Sequence, residues 1–152
     1  MPISKIVQDS LNGGVAGSGP AFSAYSTATQ SFSSGTFTKV QFNNETFDTN
    51  SNFDSSTNYR FTPTVAGYYQ INAIMSIDAG MTYAQITIYK NGSLYKRMYS
   101  RQDQGYSANI SDVVYLNGST DYVEIYVNPA TTYTGGPDAT KSVFSGVLVR
   151  AT

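Results

Sequence analysis

Ten carboxylates carry most of the chemistry this chain could perform: Asp9, Asp48, Asp54, Asp78, Asp103, Asp112, Asp121, Asp138, Glu45 and Glu124. Its 152 residues include no His, no Cys and no Trp. An imidazole base, a Ser–His pair, a thiol nucleophile, a disulfide framework and the usual zinc ligands are therefore excluded. Acid–base work would fall to paired carboxylates, and no two stand at a spacing that predicts such a pair. Asp78, Asp103 and Asp138 lie in or beside three loops, where their oxygens would suit calcium. Loop aspartates also satisfy turn backbone, which is the preferred reading. The sequence thus predicts no catalytic residue, no metal and no cofactor, and a protein that is not an enzyme.

Charged residues make up only 12% of the chain, about half the usual quarter. Aromatics reach 14%, with 13 Tyr and 8 Phe, and Ser, Thr and Asn together form nearly a third. The net charge of −1, with no Lys/Arg cluster denser than Lys96, Arg97 and Arg101, argues against nucleic acid. No apolar run approaches the roughly 18 residues that would span a bilayer. The N-terminal stretch lacks the charged and apolar regions of a secretory signal, so assembly in a cytoplasm is expected.

Residues 1–19 read as an arm and linker. A short apolar patch holds Ile3, Ile6, Val7 and Leu11, and Gly-rich sequence follows up to Pro20. From there the periodicity is two rather than 3.6. Strands are predicted over 22–27, 36–43, 58–62, 68–78, 83–90, 94–101, 107–116, 122–128 and 143–150. Many short strands with turn signals between them indicate an all-β sandwich or barrel. Asn91-Gly92 is the strongest hairpin signal, and Asn117-Gly118 serves the next pair. If successive strands run antiparallel, these tight turns and the C-terminus share one end. The looser loops around Ala79, Gln104 and Gly135 fall at the other, where recognition by Arg101, Tyr106, Tyr133, Asp138 and Lys141 is expected.

Two faces stand out. Ala84, Ile86, Ile88, Val123, Ile125 and Val127 form core faces, while Tyr83, Tyr89, Tyr95, Tyr99, Tyr122 and Tyr126 share the opposite ones. The Tyr faces read as outer or subunit surfaces, or as a platform for sugar. The last strand carries Val143, Phe144, Val147, Leu148 and Val149 on both faces. It is expected to be buried on both sides, one of them against a second subunit or, in the alternative, under the domain's own loops. Asp112 interrupts the alternation of Ile110, Val114 and Leu116, suggesting a bulge or a buried partner.

From Phe42 to Ile71 the chain reads FNNETFDTNSNFDSSTNYRFTPTVAGYYQI. This resembles the globular head of the complement-one-q family, a jelly roll related to tumour necrosis factor. The positions that match are Phe42, Asp48, Phe53, Phe61, Gly67, Tyr69 and Ile71, all read as core or turn positions. The Phe53–Phe61 gap is one residue longer than the usual pattern, and Ala73 stands where an aromatic is common. The first-strand block Ala21-Phe22-Ser23-Ala24, the Ile88–Gly92 hairpin and the terminal Phe144-Ser145-Gly146 block match in the same order. The resemblance spans about residues 20–151.

It implies an all-β, ten-stranded antiparallel jelly-roll sandwich over 20–152, assembled as a homotrimer, with calcium near the threefold axis in some family members. Phe22, Tyr25, Phe144, Val147 and Val149 would then lie at the trimer interface. A short arm before such a head is similar to fibre and appendage proteins of tailed bacteriophages. The expected protein is a virion component assembled in the host cytoplasm. Its arm would dock to other virion proteins and its distal loops would bind host surface polysaccharide or protein, with no nucleic acid and no membrane insertion. The alternative is a capsid or tail decoration or cement protein with no receptor binding. A secreted lectin-like head is a third reading.

Overall fold

Chain alternation builds two sheets whose facing sides are almost wholly apolar. A computed structural model describes residues 19–77, 82–101, 107–135 and 139–152, with the side chain of Arg101 excepted. Ile3, Ile6, Val7, Leu11, Asp78, Asp103, Tyr106 and Asp138 lie outside the described residues, as does the Arg101 side chain.

The strands are β1 (Ala21–Tyr25), β2 (Gln30–Phe32), β3 (Thr38–Lys39), β4 (Asn44–Asp48), β5 (Phe53–Asp54), β6 (Arg60–Phe61), β7 (Ala66–Ser76), β8 (Tyr83–Lys90), β9 (Ser93–Arg101), β10 (Ser107–Asn117), β11 (Val123–Pro129), β12 (Tyr133–Gly135) and β13 (Val143–Ala151). One sheet has the order β10–β7–β13–β1–β4. The other runs β5–β6–β11–β8–β9, with β3 added on β11, and β12 pairs with β2. All pairings are antiparallel. This is the all-β antiparallel jelly roll expected from the sequence.

Period-two patterning decides which side chains enter the core. In β7, Gly67, Tyr69, Ile71, Ala73 and Met75 point inward, while Tyr68 and Ile74 face out. Ala84, Ile86 and Ile88 of β8 meet Val123, Ile125 and Val127 of β11 on the other inner face, all fully buried. Between the sheets sits an aromatic cluster. Phe22 stacks on Phe61 at 4.4 Å and on Phe53 at 5.0 Å, and meets Phe144 edge-on at 4.9 Å. Phe42 lies 5.5 Å from Phe144.

Phe22 and Phe144 are therefore not interface residues. They are 1% and 0% exposed within a single chain, because both occupy the inward parity of their strands. Gly146 makes room for this: a Cβ there would come within 2.7 Å of the Phe22 ring. The last strand is covered on one side only. Val147 and Val149 are 46% and 53% exposed, and a register shift between Leu148 and Arg150 accommodates Val149. Tyr25 is half-buried at the end of β1, paired with Val143.

Further differences have local causes. The strand predicted over 36–43 is only β3, and β4 was not predicted at all. Its sequence NETFD shows no apolar alternation, because Glu45, Thr46 and Phe47 lie exposed at a sheet edge. Tyr133 is not in a recognition loop. It is buried in β12 with its ring stacked 5.0 Å from Phe32. Asp112 causes no bulge, since β10 pairs with β7 in unbroken register from Ser107 to Asn117.

Candidate functional site

The described residues place the acidic side chains of Asp48, Asp54, Asp112, Asp121, Glu45 and Glu124 on strands and loops. No group of three or more acidic side chains among them could hold a metal ion. The surfaces capable of function are instead two ends and two sheet faces.

At one end lie the tight turns. Asn91 and Gly92 both take positive φ, 53° and 74°, as the tight Asn-Gly turn requires. Asn91 also ties two turns together. Its amide nitrogen donates to Asp121 Oδ1 at 2.7 Å, and its Oδ1 accepts from the Tyr122 N–H at 3.0 Å. Lys90 pairs with Asp121 at 2.9 Å. Desolvation works to raise the Asp121 carboxyl, but the Asn91 donor and the Lys90 ammonium outweigh it and hold it below its ordinary value. Asn117 Oδ1 collects the N–H groups of Ser119, Thr120 and Asp121. Here Gly118 (φ 71°) brings its backbone against Ala66, where a Cβ would meet nitrogen at 2.3 Å.

Both chain ends of the jelly roll arrive at this same end. Pro20 accepts a hydrogen bond from the Leu148 N–H, and the Thr152 N–H donates to Ala66. Gly67 is needed there for close approach and not for a left-handed backbone, since a Cβ would stand 2.4 Å from the Arg150 carbonyl. Nearby Tyr69 closes the core. Its ring meets Phe61 at 5.5 Å and its hydroxyl donates to the Val65 carbonyl at 2.7 Å. Burial pushes its ionisation up to about 12.

At the opposite end β7 and β9 finish and β8, β10 and β13 begin. Of the residues expected to act there, Lys141 is exposed just before β13. Next to it, Ser142 is fully buried, accepting from the Ser26 N–H with its carbonyl and from the Ser76 N–H with its hydroxyl.

The outer face of the five-stranded sheet is partly apolar and uncovered. Tyr68, Ile74, Val113, Tyr115, Val147 and Phe47 are each more than two-fifths exposed. Tyr68 and Tyr115 form a cross-strand pair at 5.5 Å. Among these residues Gln70 donates to Ser111 Oγ at 2.8 Å, and Ser111 donates to Asn72 at 2.8 Å. The sandwich is also open along β9. Met98 pairs with Ile86 on the inner parity yet is half exposed. The gap to β10 is bridged by Lys96 and Asp112, 3.8 Å apart, which is the partner that Asp112 finds. Large exposed apolar surface of this kind marks association sites.

The outer face of the six-stranded sheet carries the tyrosines. Tyr89 and Tyr126 stack at 3.9 Å, Tyr83 and Tyr99 are tilted at 6.2 Å, and the Arg60 guanidinium lies 4.2 Å from the Tyr122 ring. Glu124 is nearly buried and paired with Lys39. Burial first, and then the neighbouring Glu124 charge, push Tyr126 up to about 12. The Arg97 guanidinium packs 5.1 Å from the Tyr99 ring centre. Arg97 shares the parity of Tyr99, two residues away, so the alternation that marks the tyrosine face also places this cation on it.

Two stacked antiparallel sheets of this order define a jelly roll of the tumour necrosis factor type. A C1q domain model matches residues 21–149, so the chain belongs to the C1q domain family. Domains of this class are typically non-enzymatic trimeric binding or structural modules. The globular domain of zebrafish complement 1qA is similar, with 20% identity and a TM-score of 0.64 over 88% of this chain and 99% of that one. Murine APRIL superposes with a TM-score of 0.68 at 10% identity, covering 86% of this chain and 98% of its own. The vertex protein P5 of PRD1 gives 0.67 at 14% identity, covering 91% and 100%. No curated protein matches the chain in sequence.

Proposed function

We propose that this chain is a non-enzymatic structural component of a bacteriophage virion, a homotrimeric fibre, tail or head appendage. Other virion proteins hold its residues 1–19 through Ile3, Ile6, Val7 and Leu11. The end loops, with Arg101, Tyr106, Asp138 and Lys141, meet polysaccharide or protein on the host surface. The observation that carries this reading is the arrival of Pro20 and Thr152 at the tight-turn end, so that a tethered head would point its other end outward. The uncovered face bearing Ile74, Val113 and Val147 supports self-association. Three copies multiply weak loop contacts, so avidity replaces single-site affinity.

A capsid or tail decoration protein without receptor binding is the second reading, and the likeness to the PRD1 vertex protein favours it. Light scattering tests the assembly: a mass three times the 16.5 kDa chain is expected, and a monomer at micromolar concentration overturns it. Competition tests the attachment. Purified protein added to host cells is expected to reduce phage adsorption, whereas no reduction at saturating protein favours the decoration role.

A further inference from the structure

The outer face of the six-stranded sheet holds a cation whose strongest donors are not spent. Arg97 lies on this face because its register partner Thr87 stands between the inward Ile86 and Ile88. Its Nη1 makes one long hydrogen bond, 3.4 Å, to Gln85 Oε1. A guanidinium has five N–H donors in a planar fork, and no carboxylate pairs with this one among the described residues. Lys39 and Glu124, on the same face, neutralise one another. Arg60, on the same face, packs its guanidinium against Tyr122, and Arg97 is a second cation there without a carboxylate partner among the described residues.

Its surroundings suit a flat, hydroxylated ligand. The Tyr99 ring beside it is 54% exposed, and Tyr83 is tilted against Tyr99. Such rings offer rigid amphipathic area at low entropic cost. The floor between them is polar. Thr87 Oγ1 and Asn128 Oδ1 are buried with no hydrogen-bond partner, and the register sets Asn128 opposite Gln85, next to Thr87. Both atoms are closed off from solvent, so the groups that face a ligand are the Arg97 fork and the Tyr99 ring. Few cations beside exposed tyrosine rings suit a single carboxylate on a sugar ring rather than a run of phosphates.

We propose that this face, centred on Arg97 and Tyr99, binds the carboxylate-bearing sugar unit of an acidic polysaccharide. The guanidinium fork takes the carboxylate bidentately and the tyrosine ring takes the apolar side of the sugar. The inference rests on the host-binding reading for its biological setting but moves the contact from the end loops to a sheet face.

The test uses the full chain with oligogalacturonate and oligoalginate as probes, read by titration calorimetry and by ligand-observed NMR. Binding of at least one probe is expected. Methyl esterification of its carboxylates, Arg97→Gln or Tyr99→Ala should each weaken it about tenfold with an unchanged circular dichroism spectrum. Failure of the wild type to bind either probe, equal binding of the esterified probe, or undiminished binding by Arg97→Gln overturns the site. If the wild type ignores the probes yet still competes with phage adsorption, the sheet-face site is wrong and the host-binding reading stands.

Discussion

At the centre of the core Phe144 touches Phe22, Phe42 and Phe53, so one side chain couples the last strand to the first and to the opposing sheet. Phe144→Ala should cost about 3–5 kcal/mol, read as a lower midpoint in urea denaturation. The partial substitution Phe144→Leu should cost clearly less, because it leaves a smaller cavity. Two tyrosines make a second residue-scale prediction. Tyr69 and Tyr126 ionise near 12 in the fold against an ordinary 10.0. A raised value means that the neutral form is favoured by folding. This stabilisation is fully present below pH 10 and is lost as pH rises from 10 toward 12. Ultraviolet titration should show a late phase from these two tyrosines. Tyr126→Phe should remove one late-ionising group; an unchanged late phase would contradict the assignment.

Among the elements, the β8–β9 hairpin was the most legible. Asn-Gly between two alternating runs specifies a positive-φ turn, and the structure has it at 53° and 74°. The sequence could not show that Asn91 also holds the neighbouring β10–β11 turn through Asp121 and Tyr122. Asn91→Ala should therefore cost about 1–3 kcal/mol, more than a turn residue alone, since it strains φ and orphans partners in a second loop. Asn91→Gly should recover the backbone part of that loss but not the hydrogen bonds. Urea denaturation of the two variants separates these contributions. Less legible was β4, whose exposed edge position imposes no alternation. Its end is nevertheless fixed by Asp48, which accepts from the Phe53 N–H at 2.7 Å and from the Asn50 N–H at 3.2 Å. That bonding is a physical reason for an acidic residue at this point of the family pattern.

For the molecule as a whole, the open face of β7, β10 and β13 governs the proposed assembly. Val147 is 46% exposed on that face, opposite Gln70. Val147→Lys should leave urea stability of the isolated head within about 0.5 kcal/mol and shift the scattering mass toward a monomer. A trimer that survives this charge would place the contact on a different surface. The same exposure explains why apolar residues on both sides of the last strand are ambiguous in sequence. Phe144 and Val147 are both apolar, but only parity within a defined register sends one to the core and leaves the other outside.

What the sequence determined by itself was the class of fold and most of its interior. Period two, the Asn-Gly turn and the Phe42–Ile71 pattern are local signals, and each is enforced by chain geometry over a few residues. Tertiary structure decided the rest, because it depends on pairings between distant residues. It sent Phe22 and Phe144 inward, turned Tyr133 onto Phe32, gave Asp112 its partner in Lys96 and set Arg97 beside Tyr99. Ten carboxylates and a chain without His or Cys exclude most chemistry; where its polar groups meet is fixed only when the two sheets close on each other.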